Sequence, residues 1–323
     1  MNAIVYNTYG SPDVLRCEEI ETPAAGDNEV LIKVHAASVN PFDWHFVRGT
    51  PYILRIVAGL LKPKFTRLGV DVAGEVEAVG RNVTQFKQGD EVFGGCRGAF
   101  AEYVCTSESA LVMKPNTVTF EQAASVPVAA FTALQGLRDK GHIQRGQRVL
   151  INGAAGGVGT FAVQIAKSFG AHVTGVCSTK NVEMVRSIGA DHVIDYTRED
   201  FTKGGQRYDL IFDTVGNHSL SAYKRALHAR GIYVGAGGPT DDWMIGPIAS
   251  SIQALLLSIF STRKMVAFLA KPNKGDLTIM RELMATGKVT PVIDRRYTLS
   301  ETPEAIRYLE QGHARGKVVI TIE

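Results

Sequence analysis

The residues best suited to chemistry lie in 148–169, RVLINGAAGGVGTFAVQIAKSF. An apolar run, 149–151, breaks into the turn Asn152-Gly153-Ala154-Ala155-Gly156-Gly157-Val158-Gly159, and a helical pattern with Phe161, Ile165 and Phe169 on one stripe follows. The order predicted is strand, glycine turn, helix. Gly153, Gly156 and Gly157 can take the tight conformations that bring backbone up to a diphosphate, and Gly159 allows helix to pack close on strand. Amides of Ala155, Gly156, Gly157 and Val158, with the positive end of the helix dipole, then face the phosphates. The spacing reads A-x-G-G-x-G rather than G-x-G-x-x-G, so the context carries the inference and the pattern alone does not. The competing reading is a glycine-rich surface turn.

The elements that position such a turn follow in repeated units. A run at 172–177 (HVTGVC) is followed by a helical stretch at 182–188 and a second run at 193–196. Then come 208–215 (YDLIFDTV), a helix around 220–227, and 231–235 (GIYVG). Strands alternating with short helices predict an α/β fold with a doubly wound parallel sheet. A ligand crosses the carboxyl ends of such strands, where Ser178, Tyr196, Thr214, Val215, Gly235, Ala236 and Gly237 fall. NAD-selective sites place an acid after the second strand; here that place reads Cys177-Ser178-Thr179-Lys180-Asn181. A 2′-phosphate is held by Lys180 and Ser178, with a hydroxyl from Tyr196, so NADPH is the expected cofactor. The alternative makes Lys180 a solvated lysine at a helix start.

The chain of 323 residues, 45% hydrophobic, can fill two cores, and its net charge of +3 with scattered Lys and Arg implies no nucleic-acid surface. Cys17, Cys96, Cys105 and Cys177 show neither C-x-x-C pairing nor metal spacing, and no basic and apolar leader opens the sequence. A cytoplasmic protein is expected. The apolar stretch 245–260 (IGPIASSIQALLLSIF) is shorter than a spanning helix and contains Gly246, Pro247 and Gln253. No transmembrane segment is expected; a peripheral membrane contact through this stretch stays open.

Residues 1–122 differ in texture, with short strands expected at 3–6, 30–36, 72–79, 91–93 and 101–104 between turn signals. A Thr119-x-x-Gln122 capping box opens a helix and marks the boundary of this mostly-β module. The cofactor domain then runs over 123–272, with a sixth strand at 264–270, and 273–323 returns to complete the first domain.

This order resembles the medium-chain dehydrogenase/reductase superfamily, and more narrowly its zinc-independent quinone oxidoreductase branch, near the chloroplast-envelope and reticulon-interacting mitochondrial types. The matching phrases are SVNPFDW at 38–44, GVDVAGEV at 69–76, GAFAEY at 98–103, GADHVIDY at 189–196 and GHARGK at 312–317. The resemblance implies a GroES-like catalytic domain with a Rossmann cofactor domain, and a homodimer joined through the 264–270 strand. Zinc alcohol dehydrogenases of this superfamily carry Cys where this chain has Asn40 and His-Glu where it has Val70-Asp71. Both catalytic ligands are thus replaced, the structural-zinc loop is absent, and no metal site is expected. Cys96 and His45 alone do not rebuild one.

Without zinc, hydride addition to an isolated carbonyl leaves an alkoxide unsupported, whereas a quinone or an α,β-unsaturated carbonyl spreads the charge. The expected substrate is therefore a small conjugated acceptor. By resemblance Asn40 and Asp43 lie on the loop facing the nicotinamide, and Thr132 sits near the carboxamide. Asn40 could donate to a substrate oxygen, while Asp43, an acceptor when ionised, suits orienting backbone or ribose. Tyr52 and His45 are the proton-donor candidates, and the apolar segment 48–67 is expected to wall the pocket. The competing functions are a zinc-free alcohol dehydrogenase or ketone reductase and a non-catalytic NADPH-binding regulatory protein.

Overall fold

The computed structural model describes residues 1–236 and 263–323. They form two compact units, Met1–Ala129 with Pro272–Gly287 and Pro291–Glu323, and Ala130–Lys271 with Lys288–Thr290. The chain runs β1 (Asn2–Val5), β2 (Arg16–Glu19), β3 (Glu29–Val39), α1 (Pro41–Arg48), α2 (Arg55–Ala58), β4 (Asp71–Val79), β5 (Glu91–Gly95), β6 (Tyr103–Ser107), β7 (Leu111–Met113), α3 (Phe120–Ala124) and α4 (Pro127–Gln135). It continues through β8 (Arg148–Asn152), α5 (Gly157–Ser168), β9 (His172–Cys177), α6 (Val182–Ser187), β10 (His192–Asp195), β11 (Tyr208–Asp213), α7 (Leu220–Ala226), β12 (Leu227–Gly235) and β13 (Lys264–Ala267). The tail adds α8 (Lys274–Ala285), β14 (Ile293–Thr298), α9 (Thr302–Glu310) and β15 (Lys317–Thr321).

In the first unit a sheet of order β14-β15-β3-β4-β5-β7 carries β6 on β3. The long β3 lends successive stretches to different partners. Its first half pairs with β6, Glu29 opposite Ser107, and its second half with β15, Val39 opposite Val318. Val34, Val39, Val72, Val76, Val104, Val318 and Ile320 fill the core of this sheet. The tail therefore supplies a strand to the unit that the chain's beginning starts.

The second unit is a six-stranded parallel sheet of order β10-β9-β8-β11-β12-β13. Strands covered on both faces read as continuous apolar runs, and β8 is buried at Val149, Leu150, Ile151 and Asn152. Helix α5 packs on β8 and β9, and its Phe161, Val163 and Ile165 are buried. A Cβ on Gly159 would lie 2.0 Å from the Gly153 carbonyl oxygen, so only glycine lets the helix start this close to the strand.

Strands with an apolar pattern fall where the sequence places them. Two others carry none to read: β2 is exposed at all four residues, and β7 has only three. The expected strand at 101–104 begins two residues later, because Ala101 forms an isolated bridge with Ala3. The Thr119 capping box is present, with Gln122 amide donating to Thr119 Oγ1 at 3.2 Å and Gln122 Oε1 accepting from the Thr119 amide at 3.0 Å. The compact units, however, divide after Ala129, because α3 packs on β3 and β4 of the first. Gly237 and the stretch 245–260 lie outside the described residues. Among the described residues no helix is long and apolar enough to cross a membrane.

Replacing Gly159 with Ala should destabilise the second unit by about 1–3 kcal/mol through overpacking, lowering the melting temperature followed by circular dichroism. An unchanged melt would mean that the helix can withdraw from the strand at no cost.

Candidate active site

In the second unit, the glycine turn delivers the chain from β8 into α5. Gly156 is the N-cap and no side chain caps the helix. The first-turn amides of Gly157 and Val158 have no acceptor inside the helix, so an anion placed there meets both them and the dipole. Ala154 and Gly156 amides are used internally, bonding Val176 and Gly153 carbonyls at 3.0 Å each. The donor set fits a diphosphate at the helix start.

Thr214 and Val215 stand beside the turn, against Gly153. Thr214 Oγ1 donates to Asn152 carbonyl at 3.0 Å, which locks the 214–216 loop over Gly153. Asp213 is fully buried, and its Oδ1 accepts from the Asn152 amide nitrogen at 2.9 Å and the Val215 and Gly216 amides at 2.9 and 3.0 Å. Tyr233 hydroxyl closes the network on its other oxygen at 2.8 Å. Gly235 ends β12, and Ala236 amide bonds Asp213 carbonyl at 2.8 Å. Thr132 lies in α4.

At the end of β9, Ser178 Oγ accepts from Asn181 Nδ2 at 3.2 Å, Lys180 is exposed, and Tyr196 is exposed at the end of β10. The sequence shows no acid immediately after β9, yet the fold brings one from the next strand. Asp195 Oδ2 accepts from Thr179 Oγ1 at 2.6 Å, and Oδ1 from the Thr197 amide and hydroxyl. The hydroxyls of Thr179 and Thr197 hold its carboxyl below the usual carboxylate range. Arg198 stands 3.4 Å away.

In the first unit, Asn40 and Asp43 sit at the start of α1. Asn40 is only 2% exposed. Its Nδ2 donates to Asp71 Oδ2 at 2.9 Å and to Ser38 carbonyl at 3.2 Å, and its Oδ1 accepts from Lys317 Nζ at 2.7 Å. Both amide hydrogens are thus committed inside the protein, which corrects the expectation that Asn40 donates to a substrate oxygen. Asp43, fully buried, accepts from the Asn40 amide at 2.8 Å and the Gly69 amide at 3.1 Å. It orients backbone and holds α1 against the 69–71 segment. Burial pushes its carboxyl up to about 7, against the pull of those two amides. His45 is tied to Thr50 carbonyl through Nδ1 at 2.8 Å and is lowered by burial. Tyr52 is half exposed under the Arg55 guanidinium.

A model described as an alcohol dehydrogenase GroES-like domain matches residues 26–116, and one described as a zinc-binding dehydrogenase matches 188–320. The Arabidopsis thaliana chloroplast envelope quinone oxidoreductase homolog is 34% identical over 337 residues, 99% of this chain and 98% of that protein. The mitochondrial NAD(P)H oxidoreductase RTN4IP1 of Mus musculus is 36% identical over 354 residues, 100% of this chain and 89% of its own. The solved quinone oxidoreductase from Coxiella burnetii superposes with a TM-score of 0.88 at 32% identity, covering 100% and 99% of the two chains. The chain belongs to the quinone oxidoreductase branch of the medium-chain dehydrogenase/reductase superfamily.

A member of this branch carries a GroES-like module and a Rossmann-like parallel sheet, as the two units do. Beside Asn40 the first unit buries an ammonium. Lys317 Nζ engages Asn40 Oδ1 and stands 3.6 Å from Asp71 Oδ2. Oxygens that a cation would need are already taken, and burial pushes the neighbouring Cys96 thiol away from thiolate. The donor set does not fit zinc. Among the described residues, no three His, Cys, Asp or Glu side chains group to hold a metal. Sequence reasoning left Ser38, Lys317 and Asp213 without a role; for Lys317 and Asp213 the available signal was a charged residue at the end of an apolar strand.

The buried Asp43 makes stability depend on pH. Its folded carboxyl titrates above its ordinary 3.8, so its favourable contribution is complete below that value and is lost as pH rises to about 7. Wild-type stability measured against Asp43→Asn by urea unfolding should fall between pH 4 and about 7 and then level off. A pH-independent difference would show that the carboxyl titrates normally.

Proposed function

We propose that the chain is a zinc-free, NADPH-dependent reductase of quinones or α,β-unsaturated carbonyls. The observation that carries this reading is the donor set around Asn40: an ammonium and amides occupy the oxygens a Lewis-acid metal would need. With its diphosphate held at the glycine turn, a dinucleotide would supply a hydride from its dihydronicotinamide to a conjugated carbon of the acceptor. The chain's residues do the rest. First-turn amides of α5 take the diphosphate, and Thr132, Thr214, Val215, Gly235 and Ala236 line the cofactor. Ser178, Lys180 and Tyr196 take the 2′-phosphate. Asp195 does not oppose this reading, because Thr179, Thr197 and Arg198 already meet its charge.

The acceptor's apolar body suits the segment that follows α1. Ile53, Ile56, Val57, Leu60 and Leu61 are all exposed there, Leu61 by 91%. Large apolar side chains in such number on one segment mark a binding surface. The electron pair moves to the acceptor oxygen, and the Tyr52 hydroxyl or solvent adds the proton. Asn40 and Asp43 serve by holding the start of α1.

Mixing the purified protein with NADPH or NADH and 9,10-phenanthrenequinone or a medium-chain enone tests this. NADPH should be oxidised well ahead of NADH, with no effect of chelator. Lys180→Glu should raise KM for NADPH by about ten- to a hundredfold, the worth of one charge-assisted hydrogen bond, and leave NADH alone. Loss of activity on chelation, or turnover of saturated ketones alone, would favour the alcohol dehydrogenase reading. Cofactor binding without oxidation by any acceptor would favour a regulatory protein.

A further inference from the structure

Three phrases far apart in sequence, SVNPFDW at 38–44, GVDVAGEV at 69–76 and GHARGK at 312–317, meet in one buried cluster of the first unit. Ser38 Oγ donates to Asp71 Oδ2 at 2.7 Å, and Asn40 Nδ2 to the same oxygen at 2.9 Å. Val128 amide donates to Asp71 Oδ1 at 3.1 Å. Lys317 Nζ donates to Asn40 Oδ1 at 2.7 Å and Val39 carbonyl at 3.4 Å, with Asp71 at 3.6 Å. Lys317 is 4% exposed and Asp71 is fully buried. The ammonium is delivered by a backbone that only glycine permits: Gly316 has φ +100°, and a Cβ there would lie 2.4 Å from Val292 carbonyl oxygen.

We propose that Lys317 is a positioning residue of the active site, fixing the Asn40 carboxamide and with it the start of α1. The cluster has more built into it than charge balance requires. An ammonium facing Asp71 alone would answer the carboxylate, yet the shortest of its contacts is to the neutral Asn40 oxygen. That contact sets which way the amide points, because an ammonium has only donors and must face the carbonyl side. Asn40 then has its nitrogen turned to Asp71 and Ser38, and its own backbone amide is held by Asp43. One cation therefore fixes Asn40 directly, and Asn40 in turn presents its backbone amide to Asp43. Any acceptor handled at the start of α1 depends on this loop being fixed before it arrives.

The inference rests on the reductase reading for its kinetic test, and a pair of variants separates positioning from simple neutralisation. Lys317→Met leaves Asp71 buried without its cation and should unfold at lower temperature. The double variant Asp71→Asn/Lys317→Met removes both charges and should melt near wild type. It should also bind NADPH, by fluorescence titration, with wild-type affinity, since the glycine turn belongs to the other unit. Yet its kcat should stay about ten- to a hundredfold low, because the start of α1 is no longer held by a fixed Asn40. Full recovery of kcat together with stability would overturn the proposal and leave Lys317 a purely structural counter-charge. A wild-type protein inert toward every acceptor sinks the reductase reading instead, and a readout free of turnover then decides for Lys317. The Asn40 side-chain amide signal in ¹⁵N-labelled protein, assigned by its disappearance in Asn40→Ala, should exchange slowly in wild type and fast in the double variant. Equal exchange in the two would overturn the proposal.

Discussion

Removing charged groups from water is the constraint on which the first unit depends. An ionised carboxylate or an ammonium loses several kcal/mol of hydration when buried, and recovers it only where every remaining lone pair and proton finds a partner. Asp71 finds Ser38, Asn40, the Val128 amide and Lys317; Asp43 finds the Asn40 and Gly69 amides. Those partners come from β3, α4, β15 and the residues that lead into α1 and β4. None of these elements can slide by one residue without stranding a buried polar atom, so electrostatics specifies a register that apolar side chains alone would leave looser.

The second unit meets the same constraint without a cation. Asp213 sits at the carboxyl end of β11, fully buried, and is satisfied by one side-chain amide, two backbone amides and a tyrosine hydroxyl. Burial and the nearby carboxylate keep the Tyr233 phenol protonated, so it remains a donor. Neutral donors suit this place. A buried cation would add a fixed positive charge beside a site whose ligand is anionic, and binding would then be ruled by that charge rather than by the amides of α5. The loop over the glycine turn is held rigid while the phosphate end stays governed by the helix start.

Much of this was legible in the sequence, for an identifiable reason. Strand β8, the turn and α5 are specified locally, by an apolar run, glycines and a stripe, and each signal lies within a few residues. The capping box at Thr119 is equally local. The cluster around Asn40 is not: Ser38, Asp71, Val128 and Lys317 are brought together by pairing of β15 with β3 and of β3 with β4, and no spacing rule states those pairings. Sequence reasoning saw Asn40 and Asp43 as chemically capable, but a residue type cannot say whether its hydrogens are already spent. Asp195 makes the same point in reverse. No acid follows β9 directly, yet the parallel register of β10 on β9 brings one to the turn from the neighbouring strand.

The pairing of β15 with β3 also has a consequence for how the chain is made. Residues 29–39 leave the ribosome well before 317–321. At about 5–20 residues per second, β3 waits roughly 15–60 s for its neighbour. Through that interval Asp71 lacks the ammonium that neutralises it, so the nascent first unit has to stay hydrated around its future interior. Meanwhile the parallel sheet has every strand it needs once Ala267 has been synthesised. The parallel sheet can be finished before the sheet of the first unit is, and a stalled translation product would carry the one complete and the other still lacking β14 and β15.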